Sequence, residues 1–144
     1  MVEMTYTTVL PIWNATRGRF QKTAEGLPKE DMTLQLGKSS IGSLLHHTAE
    51  VEYMFAEWFF GKSKPEEIAK PSSTDLEELV KLLSASNEHL LEAMKELPEE
   101  EWNKSKESPI GASTPLEAVG RLMYHTGIHA GQISFIQKHG NSEE

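Results

Sequence analysis

Apolar side chains recur at every third or fourth position in four separate segments of this 144-residue chain. The segments cover residues 7–25, 41–60, 75–97 and 115–139, and none of them alternates apolar and polar residues as a half-buried strand does. This spacing places the apolar side chains on one face of a helix. Four such helices can bury their apolar faces together. We therefore predict an all-α four-helix bundle, a single domain over residues 1–144, with no sheet longer than an isolated bridge.

The predicted helix ends follow from local residue types. Pro11 lies inside the first segment, so the helix is expected either to begin near Leu10 or to kink there. Short polar residues precede the other segments, where a side-chain oxygen can accept a bond from a free backbone amide. The predicted N-caps are Ser39 or Ser40, Thr74 paired with Glu77, and Thr114 paired with Glu117. Gly140 is expected to end the fourth helix in a left-handed conformation.

Three of the six histidines fall among the apolar positions of two different segments. His125 and His129 are one helical turn apart and project from the same side of the fourth helix. His47 lies between Leu44 and Val51 in the second segment. Buried imidazoles need partners for their ring nitrogens, and one divalent cation can satisfy three of them together. We predict a metal site between the second and fourth helices, although core histidines bonded to backbone or carboxylate are an alternative.

Side chains near these histidines suggest supporting roles. Glu50 and Gln132 can orient an imidazole or a water molecule beside a metal. No acid or base for catalysis can be assigned from the sequence. The aromatic run at residues 58–60 could form an apolar entrance to the site, but helix packing is the more ordinary role of such residues.

Two familiar metal motifs are excluded by spacing. A metalloprotease helix needs glutamate directly after the first histidine of the pair, and here Thr126 follows His125. A di-iron bundle needs Glu-x-x-His on two helices, whereas Glu50 follows His47 in the reverse order. The other histidines, His46, His89 and His139, are interpreted as surface or packing residues.

Composition limits the partners and the compartment. The formal net charge of −8 disfavours nucleic acid, whose phosphates are bound by lysine and arginine. There is no cysteine, which suits a reducing compartment, and residues 1–10 lack the features of a signal peptide. No run of residues is apolar enough to span a membrane. We expect a cytoplasmic protein that binds neither membrane nor nucleic acid.

Two stretches of the sequence resemble the DinB-like family of metalloproteins. Residues 40–52, Ser-Ile-Gly-Ser-Leu-Leu-His-His-Thr-Ala-Glu-Val-Glu, are similar to the second helix of that family, with the metal-binding histidine at His47. Residues 125–133, His-Thr-Gly-Ile-His-Ala-Gly-Gln-Ile, are similar to its fourth-helix His-x-x-x-His-x-Gly-Gln. Many family members carry a further polar residue beside the last ligand, where this chain has Ile128 and Ala130.

The resemblance implies more than the residues do. It implies an up-up-down-down bundle, often a homodimer, with zinc or nickel on His47, His125 and His129 and an open side on the metal. Some relatives transfer a small thiol such as bacillithiol or mycothiol to an electrophile. Others are hydrolases that use metal-bound hydroxide. A metal-binding protein without turnover and a metal-free interaction bundle remain alternatives.

Overall fold

The computed structural model describes residues 4–142, which form four long helices and a small sheet. The helices are α1 (Met4–Glu25), α2 (Ile41–Phe60), α3 (Leu76–Glu96) and α4 (Pro115–His139). Short 3-10 helices at Lys29–Thr33 and Glu99–Glu101 lie in the connections. The predicted four-helix class is confirmed. No helix in the described part of the chain is long and apolar enough to cross a membrane.

A three-stranded sheet was not expected from the sequence. Its strands are β1 (Leu34–Leu36), β2 (Ser39–Ser40) and β3 (Asn141–Ser142), in the order β2-β1-β3 with antiparallel pairs. Strands of two or three residues are too short to show an alternating pattern. The sheet joins the connection after α1 to the residues that follow α4.

Two of the predicted N-caps are confirmed, one differs, and a start of the first helix near Leu10 is ruled out. Ser40 caps α2, and Thr114 caps α4 with Glu117 completing the capping box. The N-cap of α3 is Asp75, not Thr74, because the Asp75 carboxylate accepts the bond from the Glu78 amide. α1 begins at Met4 and continues through Pro11. Pro11 is exposed, so water can reach the backbone there.

The end of α4 also differs from the prediction. Gly140 has φ −80° and ψ 167°, which is extended rather than left-handed. A Cβ at this position would lie 2.7 Å from the Ile136 carbonyl oxygen and 2.9 Å from the Gln35 carbonyl oxygen. Glycine is needed here for close approach to β1. The left-handed cap occurs instead after α2, where Gly61 has φ 72°.

The buried side chains show the direction of each helix. One cluster joins the end of α1, the starts of α2 and α3 and the end of α4. The other joins the start of α1, the ends of α2 and α3 and the start of α4. The order is therefore up-down-down-up, and the up-up-down-down order implied by the resemblance is wrong. Only the connection over residues 61–75 runs the length of the bundle, and Ser73 at its far end packs on the Cα of Gly42.

Candidate metal centre

The antiparallel packing of α2 against α4 brings three histidines together. His125 and His129 face α2 from successive turns of α4, and His47 faces them from α2. The ring centroid of His47 lies 5.3 Å from that of His125 and 5.4 Å from that of His129, and the last two are 4.2 Å apart. One ring nitrogen from each lies within 4.8 Å of the others, and no other such group of potential ligands occurs within residues 4–142. We call these three residues the tri-histidine cluster.

The spacing of the His125 and His129 nitrogens fits a bound metal. The Nε2 atoms of His125 and His129 are 3.0 Å apart. Two imidazole nitrogens that each lie about 2.0–2.1 Å from one ion are about 2.9–3.4 Å apart for angles between octahedral and tetrahedral. The donor set is all imidazole, which suits zinc, nickel, copper and iron.

Gln132 determines how His129 is oriented. Its Oε1 atom lies 2.7 Å from Nδ1 of His129. An amide oxygen only accepts hydrogen bonds, so Nδ1 carries the proton and donates it. The neutral ring therefore presents a bare Nε2 lone pair to the centre of the cluster, as a metal ligand must.

Glu50 lies in a different place from Gln132. The carboxylate oxygen Oε1 of Glu50 is 3.5 Å from Nδ1 of His46, and both residues line a separate cavity beside the crossing connection. The structure does not bring Glu50 into the tri-histidine cluster. The other histidines lie apart as well, with His89 against Tyr53 and His139 against Phe135.

Burial keeps two of the imidazoles neutral. Desolvation, with the neighbouring His129 and His47 adding to it, lowers the pKa of His125 from 6.5 to about 4. Desolvation and His47 also lower the pKa of His129, although the bond to Gln132 opposes this shift. Both rings are thus neutral at physiological pH, which is the form that binds metal.

The cluster lies at the edge of the bundle rather than in its core. His129 is buried, His125 is half-buried and His47 is exposed. The expectation that His47 faces the interior is therefore wrong, because its neighbours Leu44, Leu45 and Thr48 form the buried face of α2 instead. An exposed third ligand leaves one side of the cluster open to solvent and to small molecules.

A cavity of about 400 Å³ adjoins this open side. We call it the apolar cavity. Its lining residues are His47, Val51, Phe55, Trp58, Ile110, Arg121, Tyr124, His125 and Ile128. Trp58 lines it as the sequence suggested, whereas Phe59 and Phe60 are buried in the helix packing.

Sequence reasoning missed Arg121, Tyr124 and Ile110. Arg121 precedes His125 by four residues, so the spacing rule that paired His125 with His129 would also have placed Arg121 on the same side of α4. Ile110 belongs to the connection after α3, and no local pattern placed that connection over the cavity.

Comparisons with known proteins agree with this architecture. The family model of the DinB superfamily matches residues 12–133. A crystal structure of a DinB-like protein from Bacillus cereus is similar in fold, with a TM-score of 0.75, 17% sequence identity, and coverage of 94% of this chain and 93% of that chain. A search of curated protein sequences gave no match.

Proposed function

Since this chain belongs to the DinB superfamily, we propose that it is a metal-dependent enzyme that transfers a low-molecular-weight thiol to electrophilic substrates. The metal is one divalent ion, zinc or nickel, held by His47, His125 and His129. The observation that supports the proposal is the convergence of three imidazoles, one of them exposed, beside an apolar cavity.

The residues of the cluster have distinct parts in this proposal. A divalent ion on three neutral ligands lowers the pKa of a thiol or water bound to it. His129 is fixed by Gln132, so one ligand direction is set before any metal binds. The exposed side at His47 is where the thiol would enter and where its proton would pass to bulk water.

The cavity composition favours thiol transfer over hydrolysis. No aspartate, glutamate or cysteine is among the residues that line the apolar cavity. Without a protein base the nucleophile has to be activated by the metal, which applies to a bound thiol and a bound water alike, so the choice between them depends on the cavity walls. Apolar walls also exclude water, the competing nucleophile.

Turnover with metal-loaded protein tests the proposal. The protein is incubated with an activated aryl chloride and either bacillithiol, mycothiol or no thiol, and formation of the aryl thioether is followed by absorbance. We expect thioether formation that depends on both thiol and metal and is lost in metal-free protein and in His125→Ala.

Other outcomes would lead to a different assignment. Cleavage of an activated ester by the metal-loaded protein without any thiol would indicate a hydrolase. One ion per chain with neither reaction would indicate a metal-binding protein without turnover. Either result contradicts thiol transfer.

We also propose that the protein is a cytoplasmic homodimer with no nucleic-acid or membrane partner. The net charge of −8 argues against a nucleic-acid partner. The absence of cysteine suits a reducing compartment. No helix within residues 4–142 is long and apolar enough to cross a membrane. An exposed apolar stripe on α4 supports dimerisation.

A further inference from the structure

Arg121 is the one cationic side chain that lines the apolar cavity. It lies one helical turn before His125 on α4, and residues at this spacing project from the same side of a helix with Cβ atoms about 5–6 Å apart. A ligand in the cavity can therefore touch the guanidinium and the tri-histidine cluster at the same time.

The guanidinium is held in place by neutral partners. Its Nη1 atom donates to the Ser113 hydroxyl at 2.6 Å, and Nη2 donates to the Ile110 carbonyl at 3.3 Å. Its central carbon lies 5.8 Å from the ring centroid of Phe55 and 6.0 Å from that of Phe59. These contacts fix the plane of the guanidinium but leave other N–H donors unused, because arginine has five.

No carboxylate neutralises this charge. Within residues 4–142, no aspartate or glutamate oxygen lies within 4.0 Å of the Arg121 guanidinium, whereas the buried Arg17 is paired with Glu52 at 2.6 Å. A half-buried, oriented and unpaired guanidinium attracts an anion more strongly than an exposed one, because less solvent screens it.

The rest of the cavity selects for an apolar ligand. Val51, Phe55, Trp58, Ile110 and Ile128 supply hydrocarbon and aromatic surface. Apart from the two histidines of the cluster and Arg121, the polar side-chain groups of the lining residues are the Tyr124 hydroxyl and the Trp58 indole N–H. The cavity therefore combines one anion-binding group, an apolar body and the candidate metal ligands.

We propose that Arg121 binds an anionic oxygen group, carboxylate or phosphate, of a substrate whose apolar body fills the cavity. The substrate class is then an apolar, anionic small molecule whose reacting atom lies about one helical turn from its charge. This inference rests on the proposed function only in treating the cavity as the substrate site. Arg121 is accordingly a specificity-determining residue.

Binding to metal-free protein tests the proposal without any turnover. Trp58 lines the cavity, while Trp13 and Trp102 are both 0% exposed, so a ligand in the cavity changes the fluorescence of Trp58. The probes are phenylbutanoate, phenylpropyl phosphate and the neutral phenylbutanamide. We expect saturable binding of at least one anionic probe, at least about tenfold tighter than that of the amide.

Variants locate the interaction. Arg121→Met keeps the length of the side chain and removes its charge, so the preference for the anion should disappear, and Arg121→Lys should restore part of it. Arg19→Met changes an exposed arginine outside the cavity and should leave binding unchanged. Trp58→Phe should abolish the fluorescence change.

The outcomes separate this proposal from thiol transfer. Equal affinity for the amide and both anions in the unaltered protein, or no saturable binding of any probe, overturns the role of Arg121 even if Arg121→Met fails to fold. Thiol transfer that persists alongside such a result leaves the proposed function intact. Anion binding without thiol transfer supports the Arg121 site and contradicts the proposed reaction.

Discussion

At the scale of single residues, the Nδ1 atom of His125 is buried and has no hydrogen-bond partner in the described part of the chain. In the metal-free protein, Nε2 of His125 donates its proton to the bare Nε2 of His129. A second proton would have to sit on Nδ1 and create a buried N–H group without an acceptor, which is costly. Desolvation by burial, with the neighbouring His129 and His47 adding to it, lowers the pKa of His125 to about 4. Protonation of His125 therefore opposes folding.

The stability of the metal-free protein should depend on this group. Between pH 6.5 and about 4, the unfolded chain binds a proton at His125 and the folded chain does not. The stabilising effect of the neutral ring is therefore fully present above about pH 6.5 and is lost as pH falls toward 4. Urea unfolding at several pH values should show this decline, and His125→Asn should make it shallower. If the free energy of unfolding of that variant depends on pH as steeply as that of the unaltered protein, the lowered pKa of His125 is contradicted.

The tri-histidine cluster should bind metal as a unit. Alanine at His47, His125 or His129 is expected to reduce metal binding greatly, because each supplies one of three ligands. Gln132→Ala should weaken binding by about 10–100-fold, since it removes the partner that orients His129. Metal content after dialysis and competition with a chelator would measure both effects.

Three histidines outside the cluster provide matched controls. Alanine at His46, His89 or His139 should leave metal binding nearly unchanged. If His46→Ala removes the metal and His47→Ala does not, the ligand on α2 is His46. Full metal retention in all six variants would rule out the tri-histidine site.

At the scale of the helices, a buried ionic group joins α1, α2 and α3. Arg17 from α1 donates to both carboxylate oxygens of Glu52 on α2, at 2.6 and 3.1 Å, and Ser86 on α3 donates to the same carboxylate at 2.6 Å. The three side chains are at most 1% exposed. Such a network fixes which faces of the three helices meet, because a shifted arrangement would leave a charge unpaired.

Breaking this network should destabilise the fold. Glu52→Gln leaves the Arg17 charge buried without its partner and is expected to cost about 3–5 kcal/mol in the free energy of unfolding. Glu57→Gln, an exposed change on the same helix, should cost little. Replacing Arg17 and Glu52 together by methionine should recover much of the loss. Chemical denaturation would measure all three, and equal stabilities of the Glu52 and Glu57 variants would contradict the structural role.

Local signals predicted some helix ends, and non-local contacts decided the others. Ser40 and Thr114 could be identified because each cap involves residues only three apart. Thr74 and Asp75 are adjacent, and both residue types are good N-caps. Which of them caps α3 therefore depended on the backbone conformation at the end of the long crossing connection. The direction of the helices was not predictable for a similar reason. The connections over residues 61–75 and 97–114 are similar in length, and the sequence does not show which one crosses the bundle.

The candidate site likewise has features that one segment predicts and features that depend on packing between elements. His125 and His129 follow from spacing on one helix, whereas the exposure of His47 depends on how α2 packs against its neighbours. The apolar cavity needs α2, α4 and the connection after α3 together, so its shape has no counterpart in any single segment.

At the scale of the whole molecule, large apolar side chains form an exposed stripe along the outer surface of α4. The members of this α4 stripe are Leu116, Tyr124, Ile128 and Phe135, with exposures of 39%, 74%, 41% and 54%. Their spacings of four, seven and eight residues keep them on one side of the helix. Exposed large apolar side chains on one side of a helix are typical of interaction sites.

The pattern of the α4 stripe is compatible with a second copy of the chain. Leu116 and Phe135 lie at opposite ends, and Tyr124 and Ile128 lie on either side of the middle. A two-fold axis that crosses α4 near His125 would thus place Leu116 opposite Phe135 and Tyr124 opposite Ile128 of the other copy. Tyr124 and Ile128 also line the apolar cavity, so the second copy would then form part of the cavity entrance. Interfaces of two-fold dimers are self-complementary in this sense.

A single charge in the α4 stripe should therefore weaken the proposed homodimer. Phe135→Lys introduces two lysines into a symmetric interface, one from each copy, and removes apolar contact area at both ends. Ile12→Lys is a matched control on α1, because Ile12 is 53% exposed and lies outside the stripe. Sedimentation velocity at micromolar concentrations should show a dimer for the unaltered protein and for Ile12→Lys, and a shift toward monomer for Phe135→Lys. A dimer that tolerates Phe135→Lys would place the interface elsewhere, and a monomer throughout would remove the dimer while leaving the tri-histidine cluster complete within one chain.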